Sequence, residues 1–239
     1  MRVTTTEQKR KEGGFAETVR VVIHALIIAV VIRTFLFQPF NIPSGSMMAT
    51  LLIGDYLFVS KYTHGYSRYS FPFSPPLFSG RILGSGPDRG DVVVFRLPRD
   101  DSTDYIKRVI GLPGDKIQMI DGVLQINGEA VKHERAQDYV GDDPCGGSRT
   151  PVRTKRWRET LPNGVSYYSL DCSDNGFYDN TPVYTVPPDH YFMMGDNRDN
   201  STDSRVLTQM GYIPRANVIG RIGMIFWSSD LSRIGTMPK

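Results

Sequence analysis

Hydrophobic positions along this chain follow two patterns. Between Val21 and Phe40 they run together (Val21-Val22-Ile23, Ala25 to Ile32, Phe35-Leu36-Phe37, Phe40), interrupted by His24, Arg33 and Gln38. Twenty helical residues rise about 30 Å, the thickness of a bilayer's hydrocarbon core. A helix in a soluble core would keep a polar stripe, and residues 25–32 have none. A cleaved leader would end in a small-x-small site, and none follows the run. The pattern predicts an uncleaved membrane anchor over residues 15–40, with Arg33 extending its head group toward the interface. Residues 1–14 are polar and basic and end in Gly13-Gly14, which reads as a disordered tail.

Beyond residue 41 the pattern shortens to alternation between turns. Leu51-Leu52-Ile53 and Tyr56–Val59 read as strands around Gly54-Asp55. Residues 62–87, rich in Pro, Gly, Ser and aromatics, read as a long surface loop suited to a membrane interface. Val92–Leu97 and Tyr105–Ile110 are strong strand patterns, followed by a type II turn signal at Leu112-Pro113-Gly114-Asp115. Lys116–Ile120 and Val123–Ile126 form a hairpin pattern around Asp121-Gly122, with a further turn at Asn127-Gly128. Residues 130–186 are irregular and polar and suggest an inserted subdomain. His190–Met194 and Val218–Trp227 are the last strands, and no internal repeat is found. The expected fold is mainly β: an N-terminal transmembrane helix, then an antiparallel β-rich domain over 41–239 with an inserted β subdomain at 130–186.

Charge orients this layout. Residues 1–40 hold six of the 28 Lys/Arg (Arg2, Lys9, Arg10, Lys11, Arg20, Arg33) and three of the 25 acids (Glu7, Glu12, Glu17), which leaves 22 of each in 41–239. A neutral body argues against a nucleic-acid partner. Five basic residues precede the apolar run, and after Arg33 none occurs until Lys61. The positive-inside rule then keeps the amino terminus in the cytoplasm and sends the body across the membrane.

The candidate chemistry lies in three stretches. Pro43-Ser44-Gly45-Ser46 follows the anchor, with Ser46 six residues past Phe40. Six extended residues reach only about 20 Å, so Ser46 works close to the membrane surface. Proline fixes φ at one position and glycine frees it at another, so a hydroxyl and a backbone N–H can face one point, as a nucleophile with an oxyanion donor requires. In Tyr105-Ile106-Lys107-Arg108-Val109, alternation puts Lys107 between Tyr105 and Val109. Lysine can guard a sheet edge there. Held in an apolar site instead, it would become a neutral amine able to take the proton of a serine. Gly195–Arg205 interleaves three acids with two arginines. It fails as an EF-hand loop, because counting from Asp199 the sixth and twelfth positions hold Ser204 and Met210 rather than Gly and Glu. None of His24, His64, His133 and His190 has a neighbourhood that marks it as a base, which argues against a Ser-His-Asp triad. Cys145 and Cys172 form no C-x-x-C pair, so cysteine-held zinc is not expected. A body outside the cytoplasm favours a disulfide, with two separate thiols the alternative.

The ordered set of anchor, Pro43-Ser44-Gly45-Ser46-Met47, Gly90-Asp91-Val92-Val93-Val94-Phe95, Tyr105-Ile106-Lys107-Arg108, Gly111-Leu112-Pro113-Gly114-Asp115 and Gly195–Arg205 resembles the bacterial type I signal peptidases. These are membrane-anchored serine proteases that remove signal peptides from exported preproteins. The resemblance implies Ser46 as nucleophile, Lys107 as general base and Ser44 as an oxyanion-hole hydroxyl. It implies that Ser201 orients Lys107, that Asp203 with Arg205 and Asp196 with Arg108 brace the site, and that Ile42, Tyr105 and Met47 line the substrate pocket. It also implies preprotein signal peptides and the lipid bilayer as partners, no cofactor or metal, and a place in the bacterial inner membrane. A dedicated processing or self-cleaving Ser-Lys peptidase is the alternative, although no internal scissile site is evident. The chain shows one apolar segment where some relatives have two, and 62–87 and 130–186 match no motif of the family.

Overall fold

The computed structural model describes residues 14–148 and 150–238, so the tail expected over 1–14 lies outside the described residues except for Gly14. Helix α1 (Phe15–Val31) continues into one π-helical turn, Ile32–Leu36, in which the Phe37 N–H reaches back to the Ile32 carbonyl. Together these 22 residues are long and apolar enough to cross a membrane, and no residue of α1 is buried in the protein.

Fifteen strands follow among the described residues: β1 (Phe37–Asn41), β2 (Tyr56–Ser60), β3 (Val92–Arg96), β4 (Asp104–Gly111), β5 (Lys116–Ile120), β6 (Val123–Ile126), β7 (Glu129–Ala130), β8 (Lys132–Arg135), β9 (Tyr139–Gly141), β10 (Val152–Thr160), β11 (Ser166–Asp171), β12 (Tyr184–Thr185), β13 (His190–Met194), β14 (Ile213–Pro214) and β15 (Val218–Trp227). The main sheet runs β1-β2-β15-β3-β4-β13-β14, with every neighbouring pair antiparallel. A second sheet runs β12-β5-β6-β7, and a third joins β11, β10 and β8, with β9 also on β10. The antiparallel β expectation holds. The third sheet spans Lys132–Asp171, within the 130–186 stretch expected to form a subdomain.

Alternation explains why the centre of the main sheet is dry on both faces. Val92 and Val94 join a cluster with Leu57, Val59 and Ile222, whereas Val93 and Phe95 join another with Val109, Met193 and Val218. The strands read as unbroken apolar runs because each face meets its own core.

Three sequence expectations are corrected. The anchor does not reach residue 40: Phe37–Asn41 is a strand, because its backbone pairs with β2 from Phe37↔Ser60 to Asn41↔Tyr56. Leu51-Leu52-Ile53 is no strand. The Thr50 and Leu51 N–H groups both bond the Met47 carbonyl in a turn, and the fully buried Leu51 is apolar because it is core, not because it is extended. Residues 62–87 are more than a surface loop. Two short helical turns, Tyr62–His64 and Arg68–Ser70, bury His64, Ser67 and Tyr69, and Arg81 donates to the carbonyls of His64, Gly65 and Val218.

Phe95 is fully buried and stacks on Tyr105 at 6.2 Å between ring centroids. Phe95→Ala should cost about 3–5 kcal/mol through lost burial and the cavity left behind. A lowered denaturant midpoint of the detergent-solubilised chain checks this.

Candidate active site

Backbone geometry brings three remote segments to one point. β1 delivers the chain to Ile42, whose N–H bonds Asp55 O at 2.9 Å and whose carbonyl accepts from Gly54 N at 2.9 Å. The chain then makes a single helical turn, Gly45–Met47, after an extended Ser44. Ser46 is the second residue of that turn, and so early an N–H has no partner within the turn. Lys107 comes from β4, which lies between β3 and β13. That position excludes the edge-guard role for the lysine. The strand pairs Lys107 with Val93 and Arg108 with Met194. β13 then runs into Gly195–Arg205, whose Asn197 N–H donates to Ser46 O at 3.2 Å.

Lys107 Nζ lies 2.5 Å from Ser46 Oγ, and Lys107 is only 2% exposed. Burial draws its pKa down to about 8, although Asp203 and Asp196 pull upward and Arg205 adds to the lowering. The amine also stands 5.9 Å from the centre of the Tyr105 ring. Lys61 is equally buried and its pKa is likewise drawn down to about 8 by desolvation and by Arg33, but its amine donates to the Ser70 carbonyl at 2.6 Å. Among the described residues, the buried amine of Lys107 meets a serine hydroxyl, whereas that of Lys61 meets a carbonyl.

Ser44 Oγ is 3.4 Å from Ser46 Oγ. Two cavities meet at this pair. One, of about 450 Å³, includes Phe40, Ile42, Met47, Tyr105 and Ile106 in its lining, and the other, of about 470 Å³, includes Tyr178, Asn200, Ser201, Val206 and Gln209. Both open onto Ser44, Ser46, Tyr105 and Lys107. Ile42, Tyr105 and Met47 therefore stand together on one side of the hydroxyl, where a small side chain could enter.

Two buried ion pairs lie behind the amine. Arg108 grips Asp196 in a fork, Nε to Oδ1 at 2.8 Å and Nη2 to Oδ2 at 2.6 Å, with both residues 1% exposed. Thr50 Oγ1 donates to the same carboxylate at 2.5 Å. Arg205 forks onto Asp203 at 2.9 and 2.8 Å. Burial pushes the Asp203 carboxyl up, but Arg205, the Gly195 N–H and Lys107 together hold its pKa below the usual carboxylate range. Ser201 is a correction. Its Oγ lines the second cavity, is buried and has no hydrogen-bond partner among the described residues, so the orienting bond to Lys107 is not formed. The Lys107 amine is turned toward Ser46 instead.

Sequence reasoning missed further members of the site. Glu159, from β10, is 1% exposed and accepts from Arg198 Nη2, Tyr167 and Ser169, each at 2.7 Å. Arg198 also bonds Gly195 O at 3.2 Å, so the inserted sheet holds the charged turn from behind. A single acid in an irregular polar stretch carries no motif that could have revealed this. Cys145 and Cys172 are joined in a disulfide, which resolves the two open alternatives.

The sequence model of the family described as signal peptidase, peptidase S26, matches residues 15–227. The chain is 45% identical over 215 residues to signal peptidase I of Rickettsia typhi, covering 87% of this chain and 78% of that one. It is 42% identical over 237 residues to signal peptidase I of Rickettsia conorii, covering 96% and 83%. A crystal structure of a signal peptidase I from Enterococcus faecalis V583 aligns at 28% identity and a TM-score of 0.33, over 56% of this chain and 95% of that one.

A Cβ placed on Gly195 would stand 2.5 Å from the Ser46 carbonyl oxygen and closer still to Ser201 Oγ. Gly195→Ala should push the charged turn off the Gly45–Met47 turn. Because small misplacements are costly in catalysis, the expected loss is on the order of 10²-fold in kcat, to be read by steady-state kinetics.

Proposed function

The chain belongs to the signal peptidase family, peptidase S26, and on that premise we propose that Ser46 is its nucleophile and Lys107 its general base. The enzyme is a serine endopeptidase that removes signal peptides. The observation that carries the residue assignment is the 2.5 Å approach of a 2% exposed amine to a hydroxyl at the mouth of two cavities.

The chemistry runs as follows. Neutral Lys107 takes the Ser46 proton, and Ser46 Oγ attacks the peptide carbonyl. The Ser44 hydroxyl and the Ser46 N–H stabilise the oxyanion. The Lys107 ammonium then returns its proton to the leaving amine, which leaves an acyl-enzyme. Lys107 next takes a proton from water, which hydrolyses the ester. Arg108 and Arg205 hold Asp196 and Asp203 beside the amine, and Ser201 lines the leaving-group side. The substrate lies extended along Ile42–Ser46, with the small residue before the cut packed against Ile42, Met47 and Tyr105.

The anchor spans the inner membrane with its amino terminus in the cytoplasm and the β domain outside. The five basic residues before the apolar run support that orientation. The Cys145–Cys172 bridge supports it too, because disulfides persist in oxidising compartments. The partners are signal peptides and the surrounding lipid. The balanced charge of the body argues against a nucleic-acid partner.

Ser46→Ala and Lys107→Ala should each abolish cleavage of a preprotein with Ala before the cut, while the parent cleaves it; a mutant that cleaves at the parent's rate removes its residue from the scheme. The base must be uncharged, so the rate should fall on acidification through the Lys107 pKa near 8, by about tenfold per pH unit below it. A rate–pH profile that stays flat down to neutral pH contradicts the assignment.

A further inference from the structure

Asn197 links the nucleophile's turn to the inserted subdomain. It is fully buried. Its Nδ2 donates to Gly45 O at 3.0 Å and to Pro144 O at 2.7 Å, 152 and 53 positions away in the chain. Its backbone N–H donates to Ser46 O at 3.2 Å. Three bonds from one residue thus hold the two carbonyls that flank the attacking hydroxyl and tie them to a third segment. The amide can face only one way. Two carbonyl oxygens need the two protons of its nitrogen, and a flip would set its oxygen against both. Its Oδ1 lies instead 3.8 Å from Cys172 Sγ, a bridged sulfur that carries no proton.

The far end of this link is itself held. Pro144 O also accepts from Asn200 Nδ2 at 2.7 Å. The next residue, Cys145, is bridged to Cys172, and the N–H groups of Cys172 and Ser173 donate to Asp199 Oδ2 at 2.8 and 3.0 Å. Asp143 closes the same turn by accepting from the N–H groups of Cys145, Gly147 and Ser148. The disulfide therefore joins the loop after β9 to the end of β11, both of which are hydrogen-bonded to residues 197–200, and Asn197 passes that constraint to Gly45, one residue before the nucleophile.

We propose that Asn197 is a positioning residue for Ser46, and that the Cys145–Cys172 bridge supports it from behind. The proposal rests on Ser46 being the nucleophile. It gives the inserted subdomain a part in the reaction: the insert contributes no reacting group and instead fixes the hydroxyl's direction of attack.

The test uses the full chain in detergent, a preprotein substrate and temperatures below the unfolding of every variant. Asn197→Ala and Asn197→Asp should both lower kcat by about 10- to 100-fold, the scale of a misplaced reacting group, with KM within about twofold. Asp keeps the shape of Asn but offers at most one proton to two carbonyls, so it should not restore the parental rate. In Asn197→Ala the pH midpoint near 8 should stay put, because the charged groups acting on Lys107 are unchanged. Replacing both cysteines with serine should lower kcat less. The cysteine replacement made in the Asn197→Ala background should add nothing further, as expected of two groups acting along one path. Parental kcat in Asn197→Ala, full rescue by Asp, or a loss confined to KM would overturn the assignment of Asn197. Losses that add in the combined variant would overturn the role of the bridge. Ser46→Ala, run alongside, separates the two readings: if it is inactive while Asn197→Ala matches the parent, only the present proposal falls.

Discussion

On the proposed assignment, a lysine amine that must lose its proton is packed into the centre of a sheet beside two carboxylates, and the rest of the site answers that conflict. Burial favours the neutral amine, whereas Asp203 and Asp196 favour the ammonium. A unit charge 4 Å away at an effective dielectric near 20 is worth about 4 kcal/mol, enough to pin the proton. Arg205 opposes part of that pull, and burial outweighs what is left. Arg108 and Arg205 each take one carboxylate in a bidentate grip that fixes its place beside the amine. Buried ion pairs of this kind contribute little to stability, because desolvation offsets attraction. Their presence here is better understood as a way to keep rigid carboxylates near an amine without charging it.

The same groups fix position. Asp203 accepts the Gly195 N–H, Asp196 is bonded by Thr50 in the turn after Ser46, and Arg198 ties Gly195 to Glu159 in the insert. Gly195 has no side chain because the nucleophile's own carbonyl fills that space. The charged turn is thus a clamp closed over the backbone of residues 45–46. Its density of acids and arginines follows from having to bond in three directions while excluding water.

Much of this was legible in the sequence, for identifiable reasons. The anchor, the turn-rich β body, Ser46, Lys107 and residues 195–205 each leave a local mark: an apolar run, an alternation, a Pro-Gly pair, a cluster of charge. What was hidden lacks such a mark. Phe37–Asn41 looks like membrane because Phe37 and Phe40 continue the apolar run of the helix before them. Leu51 looks like strand because core burial and extended backbone select the same side chains. Glu159 and Asn197 act across 39 and 152 positions, and no local pattern records so distant a contact. The cysteines could be paired or free on sequence grounds, and geometry decided. Ser201 was assigned a bond by resemblance, yet its hydroxyl makes none among the described residues.

The junction between helix and sheet has a consequence for which bonds can be cut. No flexible linker separates the membrane span from the catalytic turn: the helix ends at Leu36, β1 begins at Phe37, and β2 is hydrogen-bonded to it along its whole length. Five strand residues extend only about 17 Å. On the proposed assignment, the reactive hydroxyl is therefore carried on a stiff post of set height, and such an enzyme would select by elevation as well as by side chain: a suitable sequence lying deeper in the lipid, or far out in water on a folded domain, would not come level with the blade.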